Sequence, residues 1–205
     1  MNKSMPDATR GSESGLQPES RDNHEPLPAV ISSRRIYEGK MLNLRVDEIA
    51  LTAGRVALRE VVEHGGAVVV AAVDQDDYVY LVRQYRHAIG EWLLELPAGC
   101  LEPGEKPLLA AQRELREEVG LEAHDWRPLG AFFSSPGFAS EELHAFLARD
   151  LTGVPQDPDE DEDLIVVRYP LAKLLEGEIG ICDGKTLATL LLVERECRKA
   201  AKLGR

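Results

Sequence analysis

Near the middle of this 205-residue chain, three glutamates fall close together: Glu114, Glu117 and Glu118, in the stretch RELREE. On a helix over 106–119, Glu114 and Glu118 are four residues apart and Glu114 and Glu117 three apart, so the carboxylates share one flank. Leu108, Ala111, Leu115 and Val119 form a separate apolar stripe that would anchor the helix. Carboxylates crowded this way repel one another unless a cation sits among them. Oxygen-only ligands suit a hard ion, Mg²⁺ or Mn²⁺, which also accepts water and phosphate oxygens. A solvated acidic face is the commoner meaning of a Glu-rich helix. The three glutamates alone do not separate the two readings.

The surrounding residues do. From Gly99 to Leu121 the chain reads Gly, five residues, Glu105, seven residues, then Arg113-Glu114-apolar-x-Glu117-Glu118-x-Gly120-apolar. With each fixed residue near a background of about 6–7%, a chance match is on the order of one in ten million. This segment resembles the signature of the Nudix hydrolases at every position. The resemblance implies an α/β/α sandwich whose loop–helix–loop binds divalent metal beside a diphosphate. It implies that Glu114, Glu117, Glu118 and the backbone carbonyl of Ala98 reach Mg²⁺, with Mn²⁺ as a substitute, and that Arg113 and Glu105 form an internal ion pair.

Other elements must position that helix. Residues 1–30 are rich in Ser, Pro, Asp, Glu and Asn and read as a disordered tail. Alternation over 31–64, broken at Gly39-Lys40 and Thr52-Ala53-Gly54, predicts a small antiparallel sheet of about three strands. Residues 65–205 form the hydrolase domain, with strands predicted at 67–73, 79–85, 92–96, 127–133, 143–148 and 164–169. Gly120 stops the helix. A short helix over 170–176 has Pro170 in its first turn. A last helix over 185–202 offers Leu187, Leu190, Leu191, Val193 and Cys197 for burial. The class is α+β, a mixed sheet with helices outside it.

Beyond the box, the chain is similar to the ADP-ribose pyrophosphatase branch from about Arg34 onward. Pro136 lies sixteen residues past Gly120, and Glu141 completes a Pro-Gly-x-x-x-Glu pattern. The runs Arg59-Glu60-Val61-Val62-Glu63-His64 and Val82-Arg83-Gln84-Tyr85-Arg86 also match. The resemblance implies a homodimer paired through the N-terminal sheet, with Arg59 and Glu63 reaching substrate from the partner chain. Arg86, Ser135, Pro136, Gly137 and Glu141 would contact it from the same chain. Residues 157–163 hold six carboxylates, a composition that usually means a solvated loop. Aligned with the branch, Glu160 takes the place of the general base and Glu162 that of a metal ligand. Glu118 joins Glu160 as catalytic. The implied reaction is hydrolysis of ADP-ribose to AMP and ribose 5-phosphate.

Two readings compete. The same branch contains pyrophosphatases for GDP-mannose and other nucleoside diphosphate sugars. A non-catalytic Nudix-fold nucleotide sensor is the second, but such proteins usually lose box carboxylates, and all are present here. The formal charge of −12 argues against nucleic acid as a partner, and a diphosphate needs cations beside so acidic a chain. No apolar run has the length of a membrane span. The first residues carry no apolar signal core, and Cys100, Cys182 and Cys197 are odd in number and far apart. These features predict free thiols and a cytoplasmic setting.

Overall fold

The computed structural model describes residues 27–156 and 163–202. The alternating N-terminal segment forms an antiparallel sheet of β1 (Val30–Glu38), β2 (Asn43–Ala50) and β3 (Val56–Glu63), in that order. Both predicted turns are present. The Gly39 N–H donates to Leu42 O at 3.1 Å in the first. The second is a 3-10 turn, Thr52–Gly54, in which Ala53 and Gly54 both take positive φ. Every residue of β1 is exposed.

The second sheet carries the core. Its strands are β4 (Ala67–Val73), β5 (Tyr78–Arg86), β6 (Glu91–Glu95), β7 (Ala98–Cys100), β8 (Leu121–Phe133), β9 (Glu142–Gly153) and β10 (Leu164–Pro170). The order is β10-β5-β4-β9-β8, with β6 beside β5 and β7 beside β4. The β4–β9 pair is parallel and the other pairs antiparallel, so the sheet is mixed. Helix α1 (Pro107–Glu114) covers one face; α2 (Leu171–Leu175) and α3 (Gly184–Lys202) cover the other.

Strand β4 is apolar at all seven positions because both its faces are covered. With a period of two, Val69, Ala71 and Val73 pack with Leu147, Leu190 and Val193 beneath α3. Val68, Val70 and Ala72 pack with Ala110, Ala111 and Leu115 beneath α1. The result is the α/β/α sandwich expected of the box.

Three local expectations change. The helix over 106–119 is an α-helix only to Glu114; Leu115–Val119 form a π-helical turn, and Gly120 ends it in the left-handed region at φ 70°. Leu108 is 40% exposed and Ala110 takes its place inside, since two adjacent small residues, Ala110 and Ala111, let the helix approach β4. On α3, Leu187, Leu191 and Cys197 are exposed, whereas Thr186, Thr189, Leu190 and Val193 are buried. That buried set keeps the three-and-four spacing, and Leu187 and Leu191 each lie one residue further round the helix. Strand β7 has only three residues, too few for a periodic signal, and was not anticipated.

Candidate active site

Strand β7 lays the start of the box against the helical segment that carries Glu114 and Glu118. The Ala98 N–H donates to Glu118 Oε2 at 3.1 Å. A Cβ on Gly99 would fall inside the carboxylate of Glu114, so only glycine permits this approach. Glu114 and Glu118 are 7% and 2% exposed, which puts two ionisable groups deep against the strand.

Arg113 ties the loop, the strand and the helix together. It donates to both oxygens of Glu105 at 3.2 and 3.1 Å, which is the ion pair the sequence predicts. Its Nη1 also donates to Glu114 at 2.7 Å and Glu117 at 2.9 Å, and its Nη2 to Cys100 O at 3.1 Å. The bond to Glu105 leads in raising the Arg113 pKa above its ordinary value, and the same bond leads in holding Glu105 below its own. Among the described residues, no three potential ligands already surround one point as a finished metal cage. The donor chemistry nonetheless fits a hard divalent cation: oxygen ligands only, two of them on buried side chains, with the Glu114 carboxylate lying directly over Gly99. Such an ion would take over from Arg113 part of the charge on Glu114 and Glu117.

A cleft of about 700 Å³ opens beside β7, with Ala98, Gly99, Ser135, Glu141, Arg86 and Lys185 in its walls. The Ser135–Glu141 loop is set by its own backbone: Phe138 and Ala139 N–H donate to Ser135 O at 3.1 and 2.9 Å. It is pinned to β3 through Val62 N–H to Phe138 O and Ser140 N–H to Val62 O. Pro136 and Gly137 form the exposed tip of this turn and do not line the cleft. Glu141 stands 3.7 Å from His64 Nδ1.

Arg86 is held by a two-pronged bond to Glu95, Nε to Oε1 at 2.7 Å and Nη2 to Oε2 at 2.6 Å. Lys185 pairs with the same carboxylate and with Asp183 at 3.1 Å. The Glu95 bond leads in raising the Arg86 pKa. Burial pushes Glu95 upward, but Arg86 and Lys185 together outweigh it and hold that carboxyl below its ordinary range.

Arg59 and Glu63 lie away from this cleft. Arg59 is exposed and donates to Leu58 O. Glu63 pairs with Arg35 and Arg45 of its own sheet, which together draw its pKa down, Arg45 foremost. Glu160 and Glu162 lie outside the described residues. Sequence reasoning missed Glu95 and Lys185. A lone glutamate in the apolar run 92–96 was the available signal for Glu95; Lys185 comes into place only through the fold.

The model for the NUDIX domain matches residues 62–199. An ADP-ribose pyrophosphatase of Mycobacterium tuberculosis is 43% identical over 157 residues, 73% of this chain and 76% of that protein. One from Bacillus subtilis is 40% identical over 179 residues, 84% of this chain and 96% of that protein. The methanol dehydrogenase activator of Bacillus methanolicus is 38% identical over 162 residues, 77% and 88%. A solved ADP compounds hydrolase superposes with a TM-score of 0.73 at 25% identity, over 84% of this chain and 95% of that one. With an unbroken box on the helix of an α/β/α sandwich, and a family match over well more than half its length, the chain belongs to the Nudix hydrolases.

Proposed function

We propose that this protein is an ADP-ribose pyrophosphatase, hydrolysing ADP-ribose to AMP and ribose 5-phosphate. The observation that carries the reading is 40% identity to the Bacillus subtilis ADP-ribose pyrophosphatase over 84% of this chain. Glu114, Glu117, Glu118, Glu162 and the carbonyl of Ala98 would hold Mg²⁺. Bound Mg²⁺ offsets charge on the diphosphate and lowers the pKa of water toward neutrality. Glu160 would accept the proton of the attacking water as general base. Arg86 donates to a phosphate, and Ser135 and Glu141 shape the wall on which the sugar rests, with Pro136 and Gly137 at the exposed tip of the same turn.

The same reading makes the protein a homodimer through residues 31–64, with Arg59 and Glu63 completing the partner's site and residues 65–205 carrying the chemistry. Exposed Val30, Ile31, Ile36 and Tyr37 on β1 support it, because apolar side chains on an exposed strand favour covering. No described helix is long and apolar enough to cross a membrane. Three exposed free cysteines fit a cytoplasmic setting.

The test is release of AMP from ADP-ribose with Mg²⁺, beside a panel that includes GDP-mannose. Faster turnover of another nucleoside diphosphate sugar would move the substrate. Absence of product from every member would leave a nucleotide sensor.

A further inference from the structure

We propose that Glu95 is a positioning residue that holds Arg86 and Lys185 together at the cleft wall, where the two cations receive a phosphate of the nucleoside diphosphate. The substrate class rests on the function proposed above; the arrangement of the residues does not. Glu95 ends β6 and is 1% exposed. A carboxylate buried to that degree requires charged partners, and it has two: Arg86 spans both oxygens and Lys185 shares Oε2. Arg86 comes from β5 and Lys185 from the first turn of α3, so a single anion gathers cations from separate elements.

The geometry suits recognition of an anion. Glu95 takes the Nε–Nη2 edge of Arg86, which turns the Nη1 edge away from the carboxylate. The Arg86 side chain remains 39% exposed, and both cations line the cleft with Ala98 and Gly99. They are the only lysine or arginine among the described residues of that lining. Their charge is balanced by Glu95 and Asp183, so they act as fixed N–H donors more than as a net positive field. Long side chains lose much rotamer freedom on binding. Glu95 imposes that ordering before substrate arrives, which lowers the cost of binding without entering the chemistry.

The experiment uses the full chain with Glu95→Gln, Arg86→Ala, their double variant, and Lys185→Met. Two readouts are taken: kcat and KM for ADP-ribose with Mg²⁺, and the Kd of AMP by calorimetry in EDTA. Glu95→Gln is expected to raise KM and the AMP Kd about tenfold with kcat within about threefold, because uniform binding is lost. The double variant is expected to be less impaired than the product of the two single effects, since Glu95 acts in part through Arg86 and otherwise through Lys185. A folded Glu95→Gln protein with unchanged KM and Kd overturns the proposal, as do effects that multiply in the double variant. Should Glu95→Gln fail to fold, Lys185→Met decides: a KM raised about threefold or more supports the pair, and an unchanged KM overturns it. If the wild-type chain prefers another nucleoside diphosphate sugar, the cycle is run with that compound, and the substrate reading falls separately from this one.

Discussion

Among the described glycines, Gly99 leaves the least space for a side chain. Its missing Cβ is what lets the Glu114 carboxylate lie against β7, so Gly99→Ala must displace that side chain or the strand. Overpacking of this kind costs about 1–3 kcal/mol. We expect a lower Tm and a fall in kcat of at least about tenfold, because small misplacements of reacting groups are costly. Glu118→Gln keeps the shape of a residue that is 2% exposed but removes its charge. Turnover is expected to vanish with the circular dichroism spectrum unchanged; wild-type activity in this variant would remove Glu118 from the metal site. Glu160→Gln is expected to slow turnover by orders of magnitude with Mg²⁺ binding retained. If Glu162→Gln is the inactive variant that keeps its metal, the two roles are exchanged.

At the scale of elements, the buried salt-bridge group and the helix faces each make a prediction. Glu95 is held below its ordinary pKa of 4.5, so its contribution to stability is present above that pH and is lost as pH falls through the lower folded value. The difference in Tm between wild type and Glu95→Gln should therefore shrink below about pH 4.5; a gap constant from pH 7 to 3 would contradict the pairing. On α3, Leu190 is 3% exposed and Leu191 64% exposed. Leu190→Ala should cost about 2–5 kcal/mol in urea unfolding, whereas Leu191→Ala should stay within about 0.5 kcal/mol. Equal losses at the two positions would mean that α3 is rotated from its described seat.

At the scale of the molecule, the question is what covers β1. Exposed Ile31 and Tyr37 lie on a strand that has no partner along its outer edge among the described residues. If the N-terminal sheet pairs two copies, the wild-type mass by light scattering is that of a dimer. Ile31→Lys with Tyr37→Lys should then yield a monomer whose KM rises, because Arg59 and Glu63 no longer reach the other site. A wild-type monomer with full activity would leave those two residues without a substrate role.

Much of this protein was legible in local pattern. The box spacing from Gly99 to Leu121 determined the Nudix family, and with it the sandwich. The apolar run over 67–73 marked the strand β4, and the breaks at Gly39 and Gly54 marked the hairpins. Each signal lies within a few residues, where helix and strand periodicity act directly. Other features depended on contacts far apart in the chain. Lys185 meets Glu95 across ninety residues, and Lys185 reads as an ordinary surface residue until the fold joins them. The exposure of Leu108 and Leu191 followed from how each helix rolls on the sheet, which periodicity leaves open by about one residue. The π turn at Leu115–Val119, and the hold of Arg113 on Glu114 and Glu117 as well as Glu105, likewise came only with the tertiary structure. The sequence determined the family and the groups proposed for its chemistry; packing decided which of them face one another, because side-chain direction is set by neighbours that spacing does not reveal.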